Sequence, residues 1–185
     1  IVHCVGHMKE KVREHIEKQS FPEDAAIIFS EEEIPLGTGG AIKKALENSP
    51  SEIAVILNGD TFFPVDYGRF IEKHMEHDAY ASICLKQIED TGRYGTVVID
   101  ENNRIISFRE KTGESEPGNI SVGVYVFRKN VFDRFDLPEV FSIEKDFFEK
   151  HTDKLRIHGF VFTDYFIDIG TPENYQKAQE YFKNG

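Results

Sequence analysis

Apolar positions along this chain recur with two different periods, and the change of period divides it. Ile1-Val2-His3-Cys4-Val5-Gly6 is a continuous apolar run of strand character. From Met8 to Gln19, Met8, Val12 and Ile16 recur every fourth position among Lys9, Glu10, Lys11, Arg13, Glu14, Glu17 and Lys18, which predicts an amphipathic helix. Pro22 interrupts, Ala25 to Phe29 predicts a strand, and the acidic run Glu31-Glu32-Glu33 leads to Pro35-Leu36-Gly37-Thr38-Gly39-Gly40. Ala41 to Glu47 predicts a helix closed by Asn48-Ser49-Pro50. The run Ala54-Val55-Ile56-Leu57 then stops abruptly at Asn58-Gly59-Asp60, and a helix follows from about Tyr67 to His77 with Phe70, Ile71, His74 and Met75 inward. Strand and helix alternating in this way predict a parallel sheet covered by helices.

Beyond Tyr80 the period shortens. Tyr80 to Ile88, Gly95 to Asp100 and Arg104 to Arg109 are short β-rich runs, the last two joined as a hairpin through Glu101-Asn102-Asn103. Ile120 to Phe127, Arg156 to Phe162 and Tyr165 to Ile169 predict further strands, and Ser142 to His151 and Glu173 to Phe182 predict helices. The fold class is therefore α/β, a Rossmann-like, mixed, mainly parallel sheet flanked by helices, forming one domain over residues 1–185. An alternating fold that opens on an interior strand predicts an N-terminally incomplete domain.

Composition narrows the partners. A formal net charge of -11 repels nucleic acid and anionic membrane, so neither is expected to bind. A polyanionic substrate would need local cations or a metal. No run approaches the roughly 20 apolar residues of a membrane helix, and no charged-then-apolar leader is visible. Cys4 and Cys84 are far apart, each in an apolar run and without metal-ligand spacing, which predicts reduced core thiols and a cytoplasmic protein.

Two carboxylates stand in matching contexts. Asp60 ends the Ala54 strand, where open α/β sheets place their ligands. Asp168 ends Tyr165-Phe166-Ile167, just before the helix start Thr171-Pro172-Glu173. Two aspartates at neighbouring strand ends suit Mg²⁺, which takes a couple of carboxylates and completes its shell with substrate phosphates; the alternative is a pair of ordinary turn residues. Gly37-Thr38-Gly39-Gly40 can bring backbone N–H groups close to a nucleotide or can be simply a turn, and it matches neither a Walker loop nor GxGxxG. In Phe108-Arg109-Glu110-Lys111, Glu110 can take sugar hydroxyls and Lys111 a phosphate, or both form a solvated edge pair. Arg93-Tyr94-Gly95 is a turn with the same two readings. No nucleophile elbow and no His-x-His pattern is present, so covalent catalysis is not expected.

In order and spacing, Pro35 to Ala41, Leu57-Asn58-Gly59-Asp60, Tyr94-Gly95, Phe108-Arg109-Glu110-Lys111, Ser121-Val122-Gly123-Val124-Tyr125 and Ile167 to Glu173 together resemble the sugar-1-phosphate nucleotidyltransferase family. The resemblance covers essentially the whole chain and implies the nucleotide-diphospho-sugar transferase fold. It implies that Glu32, Gly37, Thr38 and Gly39 hold the nucleobase end of a nucleoside triphosphate and that Asn58 and Gly59 lie near its ribose. Asp60 and Asp168 would hold Mg²⁺. Tyr94, Gly95, Glu110, Lys111, Ser121 and Gly123 would line the sugar 1-phosphate pocket, with Lys111 joining Asp60 and Asp168 in catalysis. Guanine is favoured because its two parallel N–H donors match a carboxylate such as Glu32; the sugar favoured is heptose 1-phosphate. Mannose 1-phosphate with GTP, glucose 1-phosphate with a thymidine nucleotide, and a non-catalytic sugar-nucleotide-binding module are the alternatives, and a homo-oligomer is left open. The family's Gly-Gly-x-Gly-Thr-Arg-Leu loop is absent from this sequence, so the chain as written is expected to have lost most activity. Ser121 stands where many relatives have Asn, which leaves the sugar open.

Overall fold

The computed structural model describes residues 1–109, 113 and 115–184. Its first half runs β1 (Val2–Val5), α1 (Lys9–Glu17), β2 (Ile28–Glu31), α2 (Gly37–Glu47), β3 (Ile53–Leu57), β4 (Thr61–Phe62) and α3 (Tyr67–Glu76). The second half runs β5 (Ala81–Ile88), β6 (Thr96–Ile99), β7 (Ile105–Arg109), β8 (Gly118–Arg128), a π-helix (Ile143–Phe148) continued by the short α4 (Glu149–His151), β9 (Ile157–Val161), β10 (Ile167–Asp168) and α5 (Pro172–Asn184).

β8 organises the main sheet. One edge of it pairs with β5; the other is shared, with β6 at Asn119 and Ile120 and with β3 from Val124 to Arg128, all antiparallel. β7 extends β6 antiparallel and β9 extends β5 parallel. It follows that β3, β5, β6 and β9 run one way while β7 and β8 run the other. The sheet is thus mixed, as expected, with four strands running one way and two the other; because β8 lies between like-directed strands and β7 turns back on β6, only the β5–β9 ladder is parallel. β1 and β2 pair in parallel as a separate ribbon, and β10 pairs antiparallel with β4.

The sheet is buried on both faces because its central strands are apolar at consecutive positions. Tyr125 and Phe127 of β8 join Ala81, Ile83 and Leu85 of β5 on one face, beneath Ile42 and Leu46 of α2 and Phe147 and Phe148 of the π-helix. Ile120, Val122, Val124 and Val126 face the other way, with Cys84 and Phe160, against Phe70 of α3. α3 starts where predicted because Asp66 caps it, its carboxylate accepting from the Arg69 N–H at 3.0 Å. His74 is buried on the inner side of α3, its Nδ1 2.8 Å from Ser82 Oγ.

Several expectations shift. Strand pairing moves the predicted Ala25–Phe29 strand to Ile28–Glu31, since β1 places Val2 opposite Ile28 and Val5 opposite Glu31. Gly37 to Gly40 is the first turn of α2, not a loop before it. Met75 is exposed, lying beyond the edge of the apolar stripe that Phe70 and His74 define. Cys84 is a buried free thiol, but Cys4 is exposed, its Sγ reaching the Ala41 carbonyl of α2 at 3.7 Å without being covered. No helix among the described residues is long and apolar enough to cross a membrane.

Candidate active site

The site begins with a gap in the sheet. Ser121, Val122 and Gly123 fall between the β6 and β3 ladders on their shared edge of β8, and neither strand pairs with them. Gly123 has φ 74°, a left-handed conformation that glycine adopts without penalty. A Cβ there would stand 2.6 Å from Asn58 Nδ2, so glycine also makes room for Asn58. The Asn58 N–H in turn donates to the Gly123 carbonyl at 2.8 Å. The ladder with β5 is irregular at this point, Ile83 facing Tyr125 and Leu85 facing Ser121. Such bulges re-aim side chains, and here they open the sheet.

A cleft of about 210 Å³ occupies the gap. Seven of the predicted site residues line it: Asn58, Asp60, Tyr94, Gly95, Ser121, Gly123 and Asp168. Five others were not singled out: Thr61, Arg93 as an individual side chain, Val122, Glu144 and Phe166. Glu32, Gly37, Thr38, Gly39 and Gly59 do not line it; Gly37, Thr38 and Gly39 form the first turn of α2, joined to the cleft wall through the π-helix, and Glu32 follows β2 and bonds to the Leu36 N–H just before that turn. Glu110 and Lys111 lie outside the described residues.

Asp60 and Asp168 meet because β4 and β10 pair, Thr61 opposite Asp168, and the Ile169 N–H donates to the Asp60 carbonyl at 2.8 Å. The two carboxylates differ in setting. Asp60 is exposed at the rim, whereas Asp168 is buried. Asp168 Oδ2 accepts from the Tyr94 hydroxyl and from Asn174 Nδ2 at 3.2 Å; Oδ1 accepts from the Gly170 N–H at 3.1 Å and faces the Arg93 guanidinium at 3.4 Å. Burial alone raises this carboxyl's pKa, but the Tyr94 and Gly170 hydrogen bonds with Arg93 and Asn174 outweigh it and hold the group below the ordinary carboxylate range. Burial and the adjoining Asp168 carboxylate push the Tyr94 hydroxyl up to about 12, so it remains a donor.

Among the described lining residues, three carboxylates, Asp60, Glu144 and Asp168, face one cation, Arg93. A phosphorylated ligand needs further positive charge here. All-oxygen donors at adjacent strand ends fit a hard divalent cation. Among the described residues no three His, Cys, Asp or Glu groups cluster in a way that could hold a metal ion alone, so water or substrate oxygens would complete the shell.

The glycines at the start of α2 have a packing role. A Cβ on Gly39 would lie 2.1 Å from Phe141 Cε2, and one on Gly40 would lie 2.4 Å from the Glu139 carbonyl oxygen. The Gly39 and Gly40 N–H groups both donate to the Phe141 carbonyl, at 3.0 and 3.4 Å. Thr38 Oγ1 accepts from the Ile143 N–H at 3.0 Å, and Glu32 Oε2 accepts from the Leu36 N–H at 2.9 Å. Phe141 and the π-helix are thus built directly onto the Gly37–Gly40 turn.

The family model described as nucleotidyl transferase matches residues 1–185. This chain belongs to that family. It is 46% identical, over 84% of its length, to D-glycero-alpha-D-manno-heptose 1-phosphate guanylyltransferase of Aneurinibacillus thermoaerophilus, and spans 66% of that protein. The Campylobacter jejuni protein of the same name is 39% identical over 95% of this chain and 75% of its own length. Among solved structures, HddC from Yersinia pseudotuberculosis complexed with GMP-PN superposes with a TM-score of 0.84 at 34% identity, covering 98% of this chain and 78% of that one. Nucleotidyltransferases of this family generally use a divalent metal, which agrees with the donor set at Asp60 and Asp168.

Proposed function

We propose that this protein transfers a guanylyl group from GTP to a sugar 1-phosphate, heptose 1-phosphate being favoured, and releases pyrophosphate. The observation that carries this is the cleft itself, where Asn58, Asp60, Tyr94, Gly95, Ser121, Gly123 and Asp168 converge from four separate stretches of sequence. The heptose 1-phosphate guanylyltransferases among the relatives and the GMP-PN complex of HddC support the choice of nucleotide and sugar.

In this reading a phosphate oxygen of the sugar 1-phosphate attacks the α-phosphorus in line. The new P–O bond forms as the bond from the α-phosphorus to the bridging oxygen breaks, and pyrophosphate leaves with that electron pair. No covalent intermediate with the protein is needed, so catalysis rests on holding two anions in line and offsetting their charge. Asp60 and Asp168 would hold the divalent cation, proposed to be Mg²⁺, which when bound neutralises phosphate oxygens. Tyr94, Asn174 and the Gly170 N–H keep Asp168 ionised and oriented. Lys111 is proposed to meet the phosphate, and Glu110 the sugar; Gly95, Ser121 and Gly123 shape the sugar's wall. Glu32, Gly37, Thr38 and Gly39 are proposed for the base and Asn58 and Gly59 for the ribose, all within a single domain acting in the cytosol.

The test is pyrophosphate release by the full-length protein with Mg²⁺ across a panel of nucleotides and sugar 1-phosphates. GTP with heptose 1-phosphate is expected to lead, and Asp60→Asn to lower kcat by roughly 10²-fold or more, in the range that removal of one transition-state charge stabiliser gives. Release with no pair overturns the activity, and undiminished turnover by Asp60→Asn overturns the metal assignment.

A further inference from the structure

Three arginines gather at the end of the sheet remote from the cleft. Arg128 ends β8, five positions beyond Gly123, which at about 3.3 Å per strand residue sets its backbone roughly 17 Å from the open segment of that strand. Arg134 follows β8 within a few residues, and Arg156 immediately precedes β9. Their Cζ atoms lie 5.5, 4.8 and 5.4 Å from the centroid of the Tyr80 ring. The main chain fixes two of them: the Arg128 N–H donates to the Tyr80 carbonyl and the Tyr80 N–H to the Arg156 carbonyl, each at 3.0 Å. Arg134 is anchored by its side chain, Nη2 donating to the Tyr80 hydroxyl at 2.6 Å. The group is therefore built by strand ends that the fold already holds together.

Charge within the group does not balance. Asp78, left-handed at φ 47° just past α3, accepts from Arg128 on Oδ1 and from Arg156 Nη2 on Oδ2 at 2.6 Å, and its carbonyl accepts from Arg156 Nε at 3.1 Å. Among the described residues no other carboxylate forms an ion pair with the three guanidiniums; Asp133 and Asp136, the sequence neighbours of Arg134, do not. Three cations against one anion leave an excess of two positive charges, in a chain whose net charge is -11. Like charges held this close repel one another. Arg134 and Arg156 are exposed, so an anion from solution can reach them.

The excess charge and the donors specify the ligand. Guanidinium forks match the oxygens of phosphate, and a phosphate dianion cancels the excess that a single carboxylate would only halve. Three guanidiniums already crowd the Tyr80 ring, which leaves it no face for a nucleobase, so recognition is confined to the phosphate group. We propose that Arg128, Arg134 and Arg156 form a second anion site, separate from the cleft, that binds a phosphate dianion. The dianion can be free phosphate or the end group of a phosphate ester. The site stands whether or not the cleft transfers guanylyl groups.

The experiment follows the arginine Nε–Hε signals of the purified protein in ¹H–¹⁵N spectra, titrated separately with inorganic phosphate and with glycerol 3-phosphate at constant ionic strength in chloride. Saturable shifts of the Arg134 and Arg156 signals are expected, with one Kd for both. Arg134→Gln is expected to raise that Kd about tenfold or more, Arg134→Lys, which keeps the charge but loses the fork, by less, and Arg93→Gln in the cleft to change it by under twofold. Equal affinity for the two probes supports a site for the phosphate group itself, and tighter binding of glycerol 3-phosphate supports one for an ester. Shifts that do not saturate with either probe, a Kd that neither Arg134 variant changes, or binding lost with Arg93→Gln overturns the proposal and leaves the arginines as ties between strand ends.

Discussion

Replacing Gly39 by alanine sets two opposing effects against each other at the start of α2. Alanine is favoured over glycine inside a helix by about 1 kcal/mol. Against this, the new methyl would stand 2.1 Å from Cε2 and 2.3 Å from Cδ2 of Phe141, a ring that is 2% exposed. Overpacking a filled core costs about 1–3 kcal/mol, and contacts this short belong at or beyond the upper end. The net expectation for Gly39→Ala is therefore a loss of about 2 kcal/mol. In a domain of this size that lowers Tm by roughly 4–8 °C. The Phe141→Leu background separates the causes, since leucine withdraws the outer ring atoms. In that background Gly39→Ala is expected to be neutral or slightly stabilising, giving a coupling of about 2 kcal/mol, well above the few tenths of a kcal/mol seen for independent sites. Thermal or urea melts of the four proteins measure it. Equal destabilisation by Gly39→Ala in both backgrounds, or stabilisation in the wild type, would refute the packing argument and return these glycines to a purely ligand-facing role.

Two further outcomes follow from the site and the core. Tyr94→Phe removes a hydrogen bond to the buried Asp168 carboxylate and is expected to cost about 2 kcal/mol at neutral pH, as bonds to charged groups do; an unchanged melt would show that the bond is not made. His74 is buried, and desolvation above all lowers its pKa from 6.5 to about 4. The unfolded chain therefore takes up the proton first as pH falls, so this group's stabilisation is complete above about pH 6.5 and declines towards pH 4. Between pH 7 and 5 the loss is about 2 kcal/mol, and His74→Asn should flatten the stability profile over that interval by a similar amount; an equally steep profile in the variant rules out His74 as the source.

What could be read from the sequence depended on how local its causes were. The extent of α3 was legible because a capping Asp66 and the inward Phe70 and His74 lie within ten positions of one another. Asp60 and Asp168 were legible as a pair because each ends an apolar run, a signal contained in a few residues. The β4–β10 pairing that joins them was not, since two-residue strands have no periodicity. From sequence the glycine turn reads as a loop because the reason for its glycines is Phe141, about a hundred positions away. Glu144 was missed for a related cause: a π-helix has the composition of an α-helix, and only tertiary packing reveals which way its first turn points. Nor can any local pattern show that one edge of β8 passes from β6 to β3, leaving residues 121–123 open.

That arrangement of β8 also bears on how the chain comes off the ribosome. β3, β5 and β6 all precede β8, yet each joins the main sheet through it, and Ile53 must wait for Arg128, 75 positions later, to find its partner. Until about two-thirds of the described chain has been synthesised, β3 has no ladder to enter and its apolar residues have no sheet to cover them. Pairings of such long sequence separation close slowly. The interval before β8 emerges is consequently the time of greatest exposure to aggregation and to holding chaperones.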